Sequence, residues 1–401
     1  RVPRQSRILY RRKLFSYPLK PFEAFFGLGP FESLRCGLSF LAARLAPRSP
    51  EEDFETWVSN RFGRRLFSIF FKTYTEKVWG VPCTQIRADW AAQRIRGLSL
   101  WKAVWHAVKP DRSVKTLIEE FDYPRLGPGQ MWERFTTRLE ERGSRVLFGR
   151  SVARISWQEG RGVTAVETDG SAGRETFTGD AYVSSMALSD AVFALDPPPP
   201  PEVLEAARAL RYRDYILVAL MFEGERFFPD NWVYIHSPEV RIGRVQNFGN
   251  WSAAMVPRPS VTCLGLEYFC FDTDPVWSAP DEELLETGRA EITKTGLVPE
   301  GARVLDGAVV RMPKTYPMYD PGYTEKVDVV RRFLAERLPN LQQVGRNGMH
   351  RYNNQDHAMV TGLYAVRNLY GASNDLWAVN VDDEYHEEAR TLRPGEEGSR
   401  P

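Results

Sequence analysis

Apolar positions in the N-terminal third recur at the spacing of amphipathic helices. Phe54, Trp57, Val58 and Phe62 follow one another at i, i+3, i+4 and i+8, which places them on one face of a helix. The preceding stretch, Ser49-Pro-Glu-Glu52, has the pattern of a capping box with proline at the first helical position. The same spacing predicts further helices over residues 31–46, 64–76, 89–96 and 99–108.

Beyond residue 121 the pattern changes to short apolar runs separated by turn residues, which predicts strands. A first group of strands is expected at 145–148, 152–157, 163–168, 175–178 and 181–185. A second group is expected at 215–222, 232–236, 241–248, 261–271, 308–312 and 376–381. Helices are predicted over 281–295, 324–338 and 355–370, the last with Met359, Leu363 and Val366 as its buried stripe. The fold class is therefore α/β (α+β), with two interleaved domains.

Composition removes several function classes. The 401 residues carry a formal net charge of +1, which excludes a strongly basic nucleic-acid-binding protein. The four cysteines have no zinc spacing and form no disulfide pattern, so no metal site is expected and a reducing, cytoplasmic location fits best. No run of 18 apolar residues occurs, so we expect no integral membrane segment. The sequence does not predict the oligomeric state.

The strongest local signal is a turn with two glycines before the last predicted helix. Gly345, Arg346, Asn347 and Gly348 form this turn, and Tyr352 and Asp356 follow it. Glycines let a backbone approach a ligand, a helix N-terminus favours negative charge, and arginine donates to oxygen. The pattern suits a pyrophosphate or a flavin-ring oxygen. A tight turn leading into a surface helix, with a solvated Arg346, explains the same spacing.

Three motifs in order carry a family resemblance. The stretch Gly345-Arg-Asn-Gly-Met-His-Arg-Tyr-Asn-Asn-Gln-Asp356 resembles the flavin-contact loop of UDP-galactopyranose mutases, and Phe71-Lys-Thr-Tyr-Thr-Glu-Lys-Val-Trp-Gly80 resembles a second stretch of those proteins. Tyr123-Pro-Arg-Leu-Gly-Pro-Gly129, a helix, and then Val152-Ala-Arg-Ile155 are similar to the flavin amine-oxidase and protoporphyrinogen-oxidase-like clan.

The resemblance implies an FAD-dependent oxidoreductase acting on a small-molecule substrate. It implies cofactor contacts by the turn, with Tyr352, Asp356 and Met359, and further contacts by Gly127, Gly129 and Val152. Of these, the backbone of Val152 would contact adenine. On this basis we expect an FAD-binding domain in 119–190 and 336–389, a substrate domain in 1–118 and 191–335, and a disordered tail in 390–401.

The sequence departs from the resemblance at the place where such families bind the FAD pyrophosphate. No Gly-x-Gly-x-x-Gly turn occurs, so the first βαβ unit of a Rossmann-like domain is expected to be absent and the domain truncated. We therefore expect this chain to bind FAD weakly or not at all. His350 and Asn354 stand where the mutases have a second tyrosine and an acid, so the resemblance does not carry over sugar-nucleotide specificity.

Four other residues are candidates for substrate contact. Tyr316 and Tyr319 belong to an aromatic, proline-rich loop, which either faces the substrate or packs its rings into the core. Trp79 either stacks on a flavin or substrate ring or belongs to the core. Arg94 either contributes to an anion-binding patch with Lys72 and Lys77 or is solvated. No catalytic acid or base can be named.

Three functions stay open at this point. The first is an FAD-dependent oxidoreductase of the amine-oxidase-like clan. The second is a flavin-dependent isomerase similar to the galactopyranose mutases. The third is a cofactor-free, truncated remnant that acts as a binding module, which the missing glycine motif favours and the retained two-glycine turn disfavours.

Overall fold

The computed structural model describes residues 1–17, 19, 21–88, 120–171 and 173–380. Its strands, in chain order, are β1 (Val2–Pro3), β2 (Ser6–Tyr10), β3 (Lys13–Ser16), β4 (Glu120–Phe121), β5 (Arg150–Gln158), β6 (Gly162–Gly170), β7 (Gly173–Phe177), β8 (Tyr182–Ser184), β9 (Leu195–Asp196), β10 (Tyr212–Glu223), β11 (Trp232–Ile235), β12 (Arg244–Asn247), β13 (Val261–Cys270), β14 (Val304–Pro317) and β15 (Leu341–Gln343).

The described α-helices follow the same order. They are α1 (Pro21–Leu28), α2 (Pro30–Leu45), α3 (Phe54–Phe62), α4 (Arg64–Phe67), α5 (Thr73–Trp79), α6 (Gly129–Glu141), α7 (Leu188–Phe193), α8 (Pro201–Arg208), α9 (Phe248–Trp251), α10 (Pro275–Ser278), α11 (Asp281–Thr295), α12 (Tyr323–Arg337), α13 (Gly345–Gly348) and α14 (Gln355–Leu369). This mixture of helices and sheets confirms the predicted α/β (α+β) class.

A seven-stranded sheet forms the largest part of the fold, with strand order β14-β10-β13-β12-β11-β2-β3. Its neighbours are antiparallel except β2 and β11, which run parallel. The central strand β10 alternates inward and outward residues as predicted, with Ile216, Val218 and Leu220 in the core. β14 is longer than the predicted 308–312 because it pairs with β10 almost throughout its length.

The main core lies between this sheet and α11, which spans the predicted residues 281–295. Gly288 lets the helix approach the sheet closely: a Cβ added there would lie 3.0 Å from Cγ1 of Val218. Because α11 covers this face, the side chains that alternate with the core residues must lie on the opposite face of the sheet.

Two smaller sheets contain the other predicted strands. One is four-stranded, with order β7-β6-β5-β9, and the other is a parallel pair of β8 and β15. A second core packs these elements against α7, α8 and α12. The short strands β1 and β4 form a separate antiparallel pair.

The N-terminal helices form a third core in which Phe54, Val58 and Phe62 are buried. The predicted capping box at 49–52 is wrong, since Asp53 caps α3 by accepting the Thr56 N–H at 2.8 Å. The predicted helix 64–76 is divided into α4, a π-helical segment Ser68–Lys72 and α5. The predicted helices 89–96 and 99–108 lie outside the described residues.

Two strand predictions are also wrong. Residues 145–148 form no strand, and Leu147 and Phe148 are exposed, because alternation alone cannot form a strand without a neighbour to pair with. Instead of a strand at 376–381, the chain forms a 3-10 turn at Leu376–Ala378, where Asp375 accepts the Trp377 N–H. Val381 lies outside the described residues.

The predicted buried stripe of α14 is outward-facing. Met359, Leu363 and Val366 are 38%, 58% and 47% exposed, whereas His357, Thr361 and Ala365 are buried. The helix is oriented by a hydrogen bond and a small residue, since Thr361 accepts the Gly345 N–H and Ala365 packs in a small apolar cluster. Within the described part of the chain, no helix has the length and apolar character needed to cross a membrane.

Candidate functional site

The predicted two-glycine turn is the single helical turn α13, which follows β15 directly. Gly345 has a φ of +77°, and its N–H donates to Thr361 Oγ1 at 3.0 Å. A Cβ added to Gly348 would lie 2.8 Å from the carbonyl oxygen of Ser184, at the end of the parallel strand β8. Glycine is therefore favoured by the backbone conformation at Gly345 and by close packing at Gly348.

Arg346 packs its guanidinium against two tyrosine rings. Its Cζ lies 5.0 Å from the ring centroid of Tyr316 and 4.7 Å from that of Tyr352. The two rings are stacked, with centroids 5.6 Å apart and an interplanar angle of 12°. The guanidinium also donates to the carbonyl oxygens of Asn353 at 2.8 Å and Thr315 at 3.3 Å. Arg346 is thus a fixed, partly buried cation and not a solvated one.

The turn is joined to the end of β14 by further hydrogen bonds. Asn347 Nδ2 donates to the Lys314 carbonyl at 2.7 Å, and the Tyr352 N–H donates to the Tyr319 hydroxyl at 2.6 Å. The structure therefore brings together Tyr316 and Tyr319 with the turn, although about 30 residues separate them in the sequence. We refer to Arg346, Tyr316 and Tyr352 as the Arg346 cluster.

His350 and Asn354, the two departures from the mutase pattern, have structural contacts. His350 is buried, and its Nε2 lies 3.1 Å from the carbonyl oxygen of Met318. Burial lowers the pKa of His350 to about 4, so its ring is neutral near pH 7. Asn354 is the N-cap of α14 and forms a capping box with His357.

The remaining predicted cofactor residues lie in different surroundings. Asp356 is exposed in the first turn of α14, and Met359 faces outward one turn later. Val152 is 38% exposed on β5. Gly127 has Met255 and Tyr123 as its nearest side chains, and Gly129 begins α6. None of the contacts described for these residues joins them to the Arg346 cluster.

Two of the predicted substrate residues share a cavity of about 300 Å³. Trp79 and Tyr319 both line it, together with Asp320 and Tyr323, and the Tyr319 and Tyr323 rings are stacked 4.4 Å apart. Trp79 is only 8% exposed, so it belongs to the core and also borders the cavity. Arg94 lies outside the described residues.

Two cations near this region have structural roles, because they donate hydrogen bonds to backbone carbonyl oxygens. Lys77 Nζ donates to the carbonyl oxygens of Ile235, Ser237 and Ile242 at 2.7–3.1 Å. Burial lowers its pKa to about 8. Arg213 donates to three further backbone carbonyls. Lys77 therefore belongs neither to an anion-binding patch nor to the solvated surface.

Sequence reasoning missed a buried ion pair on the sheet. Glu267 on β13 is 1% exposed, and its Oε2 accepts from Arg244 Nε at 2.6 Å. The signal was present in the sequence, since Glu267 is the only charged residue in β13. A buried carboxylate requires a cation or several donors, but its partner cannot be chosen without the strand register.

The amino-acid sequence matches a protein-family model described as flavin containing amine oxidoreductase over residues 42–319, which is more than half of the chain. This chain belongs to the flavin-containing amine oxidoreductase family. Membership implies a flavin cofactor and agrees with the clan expected from the sequence motifs.

Solved structures support the same fold for this family member. It is similar to reduced UDP-galactopyranose mutase, with a TM-score of 0.77 and 18% identity over 95% of this chain and 81% of that one. A putative protoporphyrinogen oxidase from Exiguobacterium sp. 255-15 has a TM-score of 0.63 and 15% identity, covering 92% and 81%. Putrescine oxidase bound to putrescine has a TM-score of 0.55 and 12% identity, covering 92% and 82%.

The surroundings of the turn fit the ring end of a flavin. Four buried polar atoms there have no hydrogen-bond partner among the described residues, namely Gln343 Nε2 and Oε1, Asn347 Oδ1 and Ser184 Oγ. Buried polar groups in native proteins are normally paired, and a flavin ring carries both N–H and C=O groups. The fit is limited to the ring, because the glycine-rich motif for the FAD pyrophosphate does not occur in this sequence.

Proposed function

We propose that the protein is an FAD-dependent oxidoreductase whose flavin ring binds at the turn Gly345–Gly348, beside the Arg346 cluster. The parts of the chain that hold the cofactor are residues 119–190 and 336–389, and the substrate is held by residues 1–118 and 191–335. When bound, the flavin supplies the electron transfer. The chain supplies binding, orientation and exclusion of water.

The observation that carries this proposal is the fixed position of Arg346. Its guanidinium packs against Tyr316 and Tyr352 and is held by two backbone carbonyls, so its positive charge is pre-organised beside the turn. Helix α14 begins three residues after Tyr352, and its N-terminal end also favours negative charge. Both effects stabilise the negative charge that a reduced flavin ring carries.

The test is reconstitution of the purified chain with FAD. After gel filtration, the flavin absorbance per chain is compared between the parent and Arg346→Met, with Arg289→Met as the matched control. Arg289 is an exposed arginine on α11 that pairs with Glu286. We expect Arg346→Met to lower retained flavin at least about tenfold, since a charged hydrogen-bonding group is lost, and the control to leave it unchanged.

Equal flavin content in Arg346→Met and the parent would remove Arg346 from the cofactor site. No flavin binding by the parent at any concentration, with a folded chain, would instead favour the cofactor-free remnant.

A second candidate is a flavin-dependent isomerase similar to UDP-galactopyranose mutase, which is favoured by the TM-score of 0.77 over 95% of the chain. Tyr352 and Arg346 match the resemblance, whereas His350 and Asn354 serve structural roles in this chain. Calorimetry of UDP-galactose with the reduced holoprotein separates the two functions. Heat of binding supports the isomerase, and absence of heat leaves the oxidoreductase.

A further inference from the structure

The face of the seven-stranded sheet opposite α11 carries a chain of hydrogen-bonded polar side chains. Arg244 on β12 lies opposite Glu267 on β13, so both side chains are on the same face. The Glu267 carboxylate accepts from Arg244 Nε at 2.6 Å and from Gln246 Nε2 at 2.8 Å. Trp251 Nε1 donates to Gln246 Oε1 at 2.9 Å and completes the chain. Both carboxylate oxygens are thus occupied.

Arg244 uses only its Nε for this ion pair. Among the described residues, its two terminal nitrogens, Nη1 and Nη2, have no hydrogen-bond partner, and its side chain is 27% exposed. The ion pair of Arg7 with Asp230 differs, because there both Nε and Nη2 donate to the carboxylate. Glu267 therefore holds the guanidinium through Nε, and Nη1 and Nη2 are left for another acceptor.

Nearby tyrosines act on the charge of this guanidinium. Burial tends to lower the pKa of Arg244, but Glu267 and the nearby tyrosines raise it well above the ordinary value, so Arg244 is permanently charged. Two of these tyrosines, Tyr74 and Tyr234, pack against each other with ring centroids 5.3 Å apart at 84°. Tyr316 is the third tyrosine that raises the pKa of Arg244.

Tyr316 connects this guanidinium with the proposed flavin site. Its pKa is raised chiefly by burial, and both Arg244 and Arg346 act in the opposite direction. Phe269 lies two residues after Glu267 on β13 and therefore on the same face of the sheet, and its ring centroid is 6.0 Å from that of Tyr316. The Tyr316 ring in turn stacks on Tyr352 at the turn. A group bound at Arg244 would lie on the side of the sheet that faces the Arg346 cluster.

We propose that Arg244 Nη1 and Nη2 form the binding site for an oxyanion of the substrate, either a carboxylate or a phosphate, on the aromatic face of the sheet. This inference rests on the proposed function and adds the chemical class of the substrate, an anionic organic molecule. The planar guanidinium fork matches two oxygens of one carboxylate or phosphate. Glu267 is a positioning residue, since it fixes the guanidinium through Nε and leaves the fork free.

The test is isothermal calorimetry on the full chain without added flavin, using inorganic pyrophosphate and benzoate as probes up to about 10 mM, which detects millimolar dissociation constants. The two probes separate a phosphate-bearing from a carboxylate-bearing substrate. We expect at least one probe to bind the parent. Arg244→Lys keeps the charge and a partner for Glu267 but loses the fork, so we expect at least about tenfold weaker binding.

Arg289→Met is again the control, because it removes one arginine from the helix on the opposite face of the sheet. It should leave probe binding within about twofold of the parent, since it lies away from the fork. Arg244→Met leaves the Glu267 charge buried and can prevent folding. The double variant Arg244→Met with Glu267→Gln removes both charges and provides the neutral comparison, which should not bind either probe.

Two results overturn the proposal: neither probe binds the parent, or both bind Arg244→Lys as tightly as the parent. These outcomes are independent of flavin. If the probes bind through Arg244 but the chain does not retain FAD, the oxyanion site is supported and the proposed cofactor is contradicted. If the chain retains FAD but binds neither probe, the cofactor is supported and the oxyanion site is contradicted.

Discussion

Replacing Gly348 with alanine tests how tightly the two-glycine turn is packed against the parallel strand pair. The new Cβ would lie 2.8 Å from the Ser184 carbonyl oxygen and 3.3 Å from the Ser185 Cα, both backbone atoms. Backbone cannot swing aside as a flexible side chain can, so the turn or the end of β8 must move. Overpacking of this kind typically costs about 1–3 kcal/mol of unfolding free energy.

Gly362 provides a matched control for the same substitution. It lies within α14, and a Cβ there would meet nothing within 4 Å. Alanine in a helix is about 1 kcal/mol more favourable than glycine, so Gly362→Ala should stabilise the protein. The two variants add the same atom within 14 residues of each other, and we expect opposite signs, separated by roughly 2–4 kcal/mol.

The assay is urea unfolding followed by circular dichroism and by tryptophan fluorescence, with the unfolding free energies of the three proteins compared. Flavin retention is measured on the same samples, and Gly348→Ala should lower it because the turn is displaced. Tight packing of the turn is contradicted if Gly348→Ala is as stable as the parent, or if both alanine variants change stability in the same direction.

Further predictions concern pH, capping and the cofactor. Because burial lowers the folded-state pKa of His350 to about 4, the unfolded chain binds more protons between about pH 4 and 6.5, so stability falls as pH falls through this window. Asparagine tolerates the positive φ of 46° at this position, so His350→Asn is the variant to test. Between pH 7 and pH 4, the loss of unfolding free energy measured by urea unfolding should be about 3 kcal/mol smaller in His350→Asn than in the parent. An equal loss in both proteins would contradict this prediction. Asp53→Ala should lower the unfolding free energy by about 1 kcal/mol in the same assay, because the α3 cap is lost, whereas Ser49→Ala should leave it almost unchanged. A larger loss for Ser49→Ala than for Asp53→Ala would support the capping box expected at Ser49. In fluorescence titrations, the dissociation constants of FMN and FAD should agree within about threefold, because this sequence has no glycine-rich motif to hold the FAD pyrophosphate. A strong preference for FAD would show that other residues hold the pyrophosphate.

The elements with a strong local pattern were predictable from the sequence. Helix α11 spans the predicted residues 281–295, and five of the seven strands of the large sheet, β10 to β14, were expected in order, although β14 is longer than predicted. Strands β2 and β3 were not predicted. These elements carry their own periodicity and turn residues, so local information is sufficient. The turn at Gly345 was recognised for the same reason.

The failures concern features that depend on distant parts of the chain. The apolar stripe of α14 was expected to be buried, but its orientation is determined by the hydrogen bond between Gly345 and Thr361. Arg244 and Glu267 are 23 residues apart and meet only through the register of β12 and β13. Asp53 was missed as a cap because the serine before a proline has the stronger local pattern.

The most direct test of the central claim is to locate the flavin in crystals of the chain soaked with FAD. We expect difference density for the isoalloxazine ring within about 3.5 Å of the turn Gly345–Gly348, beside Tyr352 and Arg346. Ring density at any other place, or crystals that stay colourless while the turn remains accessible to solvent, would contradict it.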